Sequence, residues 1–448
     1  MPAMLVGCYL AVLSAVALLW ARFNFSGVYR RNLQHRLDPQ DEPQQAGEPA
    51  SGRAALDGSA SGGESDQADE RLPMVALLCP GRNEAEHLEQ TLPGLCQQDY
   101  PRCRVVFVDD HSDDATPAIT AACAARYGHL TVLRHAGDPP AGWTGKCWAL
   151  HLGYQRLQQL EQAEQAAALA DDQAEGATAD GRSLPQAEFL CFTDADIHWD
   201  PRCLRRAVEL AQHSSADVVA LWPRLTFGSA AEAIVQMQMV LAIGLLFPFE
   251  KAMDPAWPDT LTGGAFILVR RSLYDRIGGH EAVHDQVVED LALGRKLKAA
   301  GGRIRIALAP QLLWCRMYNG WADMWEGLTK NAYAGMEYRP LRLAWVVPVI
   351  LLANVLPPVY LIASLVWLAA SPSPWALVGV GLSAMTVLLP ARAMNAVRRL
   401  LDLPARYAWT VPIGSALYAA IILASAWRYH HGGNVWKGRA YGPTTRPA

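Results

Sequence analysis

A chain of 448 residues that is 51% hydrophobic and only 18% charged is too apolar for a wholly soluble protein, and it has room for more than one domain. The net charge of −4 and a pI near 6.3 leave no global basic field, which excludes nucleic acid as an expected partner. Nine cysteines stand at irregular positions with no C-x-x-C spacing, which excludes a disulfide framework and suits the reduced thiols of a cytoplasmic domain.

Met4 to Trp20 is almost unbroken apolar sequence followed by Arg22, Arg30 and Arg31, so 4–21 is expected to form a transmembrane anchor with its C-terminal flank in the cytoplasm. A cleaved signal peptide would carry its charge before the apolar run and end in small residues, whereas this run ends in Leu19-Trp20. Residues 38–71 are rich in Gln, Glu, Gly, Ser, Asp and Pro and read as a disordered linker.

Strand-type sequence begins at Met74-Val75-Ala76-Leu77-Leu78-Cys79-Pro80, followed by Gly81-Arg82-Asn83-Glu84 and a helix carrying Leu88, Leu92 and Leu95. A second strand, Arg104 to Val108, runs into Asp109-Asp110-His111-Ser112-Asp113-Asp114-Ala115-Thr116 and another helix, and Leu130 to Arg134 is a third strand. Strand, polar tip and helix in succession predict a doubly wound, mostly parallel α/β sheet whose tips share one edge. Gly142-Trp143-Thr144-Gly145-Lys146 opens a helix, where free amides and a lysine favour phosphate, though the glycine spacing is not that of a P-loop. The Gln- and Ala-rich stretch that follows favours helix by propensity but lacks a strong apolar face, and 155–187 is expected to be a surface insertion.

Phe189-Leu190-Cys191-Phe192 wants burial on both faces and so belongs in the middle of the sheet, delivering Asp194 and Asp196 at its carboxyl end. Alternation along an extended chain would point both carboxylates the same way, where they repel unless a cation or a shared proton lies between them. A divalent metal holding a diphosphate is the economical explanation. Asp217 to Leu221 is another strand, and Ala233 to Phe249 an interfacial or buried helix that could line an acceptor path. Then come Thr262-Gly263-Gly264, the turn Ile277-Gly278-Gly279-His280, and Glu289-Asp290 at the start of a helix.

Residues 343–428 are expected to hold about three transmembrane helices: Leu343 to Ala370, broken at its prolines, then Trp375 to Pro390 and Thr410 to Trp427. Arg392, Arg398, Arg399 and Arg406 mark the last loop as cytoplasmic. Three spans would leave Arg428, and Lys437 and Arg439 of the tail, 429–448, on the outer side, against the positive-inside rule.

Each polar motif also has a plainer reading. Asn83 and Glu84 suit a helix cap, Asp109 to Asp114 a solvated turn, Glu289-Asp290 the first turn of a helix, and Lys146 a snorkelling surface residue. Four motifs in order are far more specific than any one of them. Pro80-Gly81-Arg82-Asn83-Glu84, Asp109-Asp110, Asp194-Ala195-Asp196 and Glu289-Asp290 together resemble the motif set of family 2 glycosyltransferases of GT-A fold, over roughly 74–335 within an expected domain of 72–340. The Gly142 to Lys146 segment, Trp325-Glu326-Gly327 and Lys330-Asn331 resemble the membrane-bound branch found with hopanoid biosynthesis, and ceramide and carotenoid glycosyltransferases look like more distant relatives.

The resemblance implies an enzyme of hexosyltransferase type acting on a nucleotide-sugar donor. It places Pro80, Arg82, Asn83, Glu84, Asp109, Asp110, Lys146, Asp194, Gly263, Gly264 and Lys330 around the nucleotide-sugar. Asp194 and Asp196 would hold a divalent metal, Mg²⁺ or Mn²⁺, and Asp290 would be the general base with Glu289 beside it. The Q-x-x-R-W motif of the polymerising branch does not follow Asp290, which favours transfer of one sugar to a membrane lipid over a processive polysaccharide synthase. A catalytically idle scaffold that binds nucleotide-sugars is the other alternative. The implied location is the inner or plasma membrane, multi-pass, with the catalytic domain in the cytoplasm; oligomeric state is left open.

Overall fold

The structure is a computed structural model that describes residues 3–26, 35–38, 72–175, 186–431, 434–436 and 439–441. All but the first residue of the linker expected at 38–71 lies outside the described residues. The chain divides into two compact units, one of Arg36–Pro223 with Met253–Cys315, the other of Met1–His35, Arg224–Ala252 and Arg316–Ala448.

The first unit is built on a seven-stranded sheet. In chain order it contains β1 (Val75–Gly81), α1 (Ala85–Cys96), β2 (Cys103–Asp110), α2 (Thr116–Arg126), β3 (Leu130–His135), α3 (Gly145–Glu175) and β4 (Phe189–Phe192). There follow β5 (His198–Trp199), α4 (Cys203–His213), β6 (Val218–Trp222), β7 (Ile267–Arg270), α5 (Arg271–Arg276), α6 (Glu289–Ala299), β8 (Ile304–Leu308) and β9 (Leu313–Cys315). The strand order is β3-β2-β1-β4-β7-β6-β8. Every residue of β1 and of β4 is buried, so both faces of the sheet are covered at its centre, as the unbroken apolar runs require.

The chain steps from β1 outward to β2 and β3 and then returns to place β4 on the other flank of β1, with parallel pairing throughout. That reversal of direction opens a crevice beyond the carboxyl ends of β1 and β4, where open sheets of this kind take ligands. The sheet is mostly parallel, as expected, with one reversed member: β7 runs antiparallel to both β4 and β6. Reversal brings the segment before β7, which carries Gly263 and Gly264, to the same edge as the tips of β1, β2 and β4.

Two elements differ from their expected form. Residues 155–175, helix-favouring by propensity and expected as part of a surface insertion, continue α3 and make it a helix of 31 residues. Its inner side is secured by polar groups that an apolar pattern does not reveal: buried Glu161 accepts from Arg271 Nη1 at 2.7 Å and from the Ala187 amide at 2.9 Å, and the Tyr154 hydroxyl donates to Asp275. Second, β4 stops at Phe192, so Asp194 and Asp196 lie in a turn and strand alternation does not reach them. Hydrogen bonds fix that turn: Thr91 Oγ1 donates to the Ala195 carbonyl at 2.7 Å, and Thr193 Oγ1 to the Ala265 carbonyl at 2.8 Å.

The second unit is helical. Among the described residues two helices, Pro374–Leu400 and Val411–His431, are long and apolar enough to cross a membrane. The bent pair Trp321–Met336 and Pro340–Val355, turned through 116°, would make a third. The span anticipated at Leu343 to Ala370 is divided into Pro340–Ile350, a π-helical turn at Leu351–Val355 and Pro357–Ala370, because Pro357 and Pro358 cannot continue a hydrogen-bonded ladder. The apolar helices Val6–Ala21 and Pro357–Ala370 are shorter. Helix Ala230–Leu246, close to the expected 233–249, packs on Val411–His431 through Gly414, where a Cβ would meet the Ile234 carbonyl at 2.8 Å. In the tail, Asn434–Trp436 pairs antiparallel with Arg439–Tyr441.

Candidate active site

The tips of β1 and β2 are knitted to each other. Asn83 has a left-handed backbone (φ 53°) that lets its amide donate to Ser112 Oγ at 3.0 Å while its side-chain oxygen accepts from the Asp113 amide at 3.0 Å. The Glu84 amide donates to Thr116 Oγ1 at 2.9 Å, and the Ala85 amide to Asp114 Oδ2 at 3.1 Å. Glu84 does occupy the N-cap position of α1, but its side chain makes no capping bond. His111, also left-handed at φ 59°, is tolerated because imidazole and amide side chains adopt that conformation more readily than most. Asp109 and Asp110 prove to be the last residues of β2, and both are buried. Asp109 Oδ1 accepts from the Ser112 amide at 3.0 Å and Oδ2 lies 3.4 Å from Arg134 Nε, so this side chain stiffens its own tip. Arg82 Nη1 donates to the Asp110 carbonyl at 3.2 Å. Pro80 is buried within β1.

A second group gathers at the ends of β4, α3 and α6. Lys146, the second residue of α3, places Nζ 2.5 Å from Asp194 Oδ1 and 2.6 Å from Glu289 Oε1. Burial works against its ammonium, but Asp194, Glu289 and Asp290 outweigh it and hold the lysine pKa well above its ordinary value. The plainer reading of Lys146 as a snorkelling side chain therefore does not describe it. Asp290 Oδ2 accepts from the Gly264 amide at 2.7 Å and Oδ1 from the Leu291 amide at 2.7 Å, while Thr262 Oγ1 donates to the Asp290 carbonyl at 2.6 Å. The Gly264 carbonyl in turn accepts from the Asp194 amide at 2.9 Å. One peptide segment thus touches both acidic motifs. A Cβ on Gly264 would fall 2.5 Å from Asp194 Oδ2 and 2.7 Å from Lys146 Nζ, so any larger residue would push those two side chains aside. Gly263 lies under the Trp222 ring, 3.3 Å from where its Cβ would be.

Desolvation and the adjacent Glu289 carboxylate push the Asp290 carboxyl up to about 7, with Lys146 pulling the other way. Burial, followed by the charges of Asp194, Glu84 and Asp196, raises the Cys79 thiol well above its ordinary value. Among the described residues no group of three or more His, Cys, Asp or Glu is shaped to hold a metal unaided. Lys330 lies on Trp321–Ala332 in the helical unit.

Several contributors escaped the sequence reading. Thr262 tethers the backbone at Asp290, and the Nδ1 of buried His280 is hydrogen-bonded with the Tyr274 hydroxyl at 2.8 Å. Burial, then Lys146 and His151, lower the His280 pKa to about 3, so it is a neutral packing group between α5 and α6. Trp143, Trp148, His151 and His284 form a half-buried aromatic cluster with ring centroids 5.0–5.5 Å apart, and the Thr144 amide donates to the His284 carbonyl at 2.8 Å. The spacing of Trp148 and His151, one helical turn apart, was the available signal.

Residues 73–332, more than half of the chain, match the family described as glycosyltransferase like family 2, and the chain belongs to that family. The beta-monoglucosyldiacylglycerol synthase of Trichormus variabilis is 24% identical over 282 residues, 58% of this chain and 52% of that protein. The 4,4'-diaponeurosporenoate glycosyltransferase of Staphylococcus aureus is 22% identical over 267 residues, 58% of this chain and 61% of that protein. The chain thus spans between half and two thirds of the length of these curated relatives. A mannosyltransferase from Pyrobaculum calidifontis, solved with GDP-Man and Mn²⁺, aligns with 95% of this chain and 100% of its own at 20% identity and a TM-score of 0.41.

Proposed function

We propose that this chain is a membrane-bound glycosyltransferase and moves a single sugar, with inversion, from a nucleotide-diphosphate sugar to a hydroxyl of a lipid. The observation that carries the proposal is the Gly264 segment, which joins Asp290 to Asp194 and leaves one carboxylate on each side of a single residue. Glu84 and Asp110, with Pro80, Arg82, Asn83 and the stiffening Asp109, form the nucleoside side. Asp194, Lys146, Gly263 and Gly264 form the diphosphate side, and Lys330 is a further candidate cation.

A divalent ion suits the donor set at Asp194 and Asp196. The two residues lie in one turn, with the Asp194 side chain 36% exposed, and Mg²⁺-type ions are commonly held by one or two carboxylates plus substrate phosphate oxygens. When bound, such an ion would neutralise charge on the departing diphosphate. Asp290 takes the proton of the acceptor hydroxyl as its oxygen bonds to the anomeric carbon and the bond from that carbon to the diphosphate breaks. Glu289, held by Lys146, keeps a second negative charge beside Asp290 and so raises its basicity. With no covalent intermediate, the anomeric centre inverts.

The lipid acceptor is supported by relatives whose names denote lipid glycosylation and by the apolar helices. Likeness to the hopanoid-associated branch directs attention to hopanoid or isoprenoid-type hydroxyls. Those helices and the basic loop after Pro374–Leu400 support a multi-pass arrangement in the inner or plasma membrane with the sheet unit in the cytoplasm. The test is incubation of the full chain with a panel of nucleotide-sugars, membrane lipid extract and Mg²⁺ or Mn²⁺, followed by mass measurement of the lipids. A lipid gaining one hexose unit is expected. No product across the panel would overturn the reading, and a ladder of several units would replace it with processive synthesis.

A further inference from the structure

In the helical unit a cavity of about 390 Å³ opens between residues 224–233 and the turn 401–407, lined among others by Arg224, Ser229, Ala233, Asp402, Leu403 and Tyr407. The Nε atom of Arg224 is buried there without a hydrogen-bond partner, and among the described residues no carboxylate pairs with its guanidinium. A half-buried, permanently charged guanidinium with no carboxylate beside it, at the wall of a cavity, marks a place for an anion.

The other charges around the cavity are already engaged. Glu232 accepts from the Gly228 amide at 2.8 Å and from Ser229 Oγ at 3.0 Å, closing off the start of helix Ala230–Leu246, and it pairs with Arg316 at 3.0 Å. Arg398 donates to Asn395 at 2.7 Å and to the Leu403 carbonyl at 3.1 Å, and Arg406 lies over the Tyr407 ring. Asp402, exposed at the rim, is the one acidic side chain of the lining. Arg224 is therefore the lining cation available to an incoming anion.

The wall opposite Arg224 is the turn that joins Pro374–Leu400 to Val411–His431, the two helices long and apolar enough to cross a membrane. With Arg398, Arg399 and Arg406 in or beside it, that turn belongs at the depth of lipid headgroups. Basic pockets between such helices recognise anionic headgroups. We infer that the cavity is a binding site for the phosphate of an anionic membrane lipid, with Arg224 as its principal cation. The site is separate from the proposed transfer reaction, and its test reads binding alone.

The experiment is native mass spectrometry of the full chain in detergent, supplied with phosphatidylglycerol or with phosphatidylcholine. One phosphatidylglycerol retained per chain and no selective retention of phosphatidylcholine is expected. Arg224→Gln should reduce retention about tenfold, the scale of one lost charge-assisted contact. Arg224→Lys should fall between the two, and Arg102→Gln in the sheet unit should bind as wild type. A thermal melt of each variant separates lost binding from lost folding, with Arg224→Lys as the readout should Arg224→Gln not fold. Equal retention of both lipids, or undiminished retention in folded Arg224→Gln, would overturn the inference. Inorganic phosphate in large excess distinguishes the source: lipid that stays bound supports a headgroup site, and complete displacement would overturn the lipid in favour of a free anion.

Discussion

At the ends of β1 and β2 the loops are tied by backbone amides and short polar side chains, Asn83 to Ser112 and Asp113, Glu84 and Ala85 to Thr116 and Asp114. At the ends of β4, α3 and α6 the tie is ionic, one lysine between Asp194 and Glu289 with Asp290 beside them. A hydrogen-bonded edge keeps its shape whether or not a ligand arrives. In the proposed reaction an ionic edge must exchange partners, since a diphosphate and its counter-ion would compete for the groups Lys146 and Asp194 now share. In that reaction the first edge would be prepared in advance and the second would rearrange as a donor enters.

The sharpest way to break this contrast is Asp290→Asn, which should lower transfer by roughly 10²–10⁴-fold while leaving nucleotide-sugar binding largely intact. Unchanged turnover would remove Asp290 from the role of base. In the wild type, kcat/KM should rise as pH passes through about 7, where the carboxyl loses its proton. Stability has the opposite trend. The folded pKa lies above the unfolded one, so the contribution of this group is complete below about pH 4 and is lost as pH rises through about 7, which denaturant midpoints across that window would reveal.

Gly264→Ala comes next. Its Cβ meets the mobile ends of Asp194 and Lys146 and no backbone, so the fold should survive while turnover drops on the order of 10²-fold from misplacement alone. A large fall in melting temperature with normal turnover per folded molecule would contradict the picture. Lys146→Gln leaves Glu289, whose side chain is 8% exposed, without its cation, at a cost of about 1–3 kcal/mol. Because Lys146 lowers the Asp290 pKa, the acid limb of the pH profile should also move to higher pH. On the hydrogen-bonded edge, Asn83→Ala should cost about 1–2 kcal/mol, from one lost bond and the left-handed backbone, and should weaken donor affinity without shifting the pH profile.

The sheet was legible because β1, β2 and β4 are apolar runs long enough to fix both burial and direction, and their polar tips fall one after another. Strand direction at β7 was not, since Ile267 to Arg270 reads the same in either sense and only the pairing with β4 and β6 decides. The inner face of α3 was legible in part, through buried Leu150, Tyr154 and Leu157 at helical spacing, whereas the tie of Glu161 to Arg271, 110 residues away, leaves no periodic trace. At the site, residue types pointed to Asp194, Asp196, Glu289 and Asp290. Nothing local signals that Lys146 joins Asp194 to Glu289, or that Asp113 and Asp114 serve their own loops. Partners distant in sequence are settled by topology.

Gly264 donates its N–H to Asp290 and offers its carbonyl to the Asp194 amide. In the proposed reaction, proton removal at the acceptor and departure at the donor are thereby referred to one residue, through the two peptide planes that meet at its Cα. It also sets a rule for recombining relatives. A chimera that exchanges the β4 turn or the start of α6 without residues 262–264 would inherit both carboxylates and lose the ruler between them.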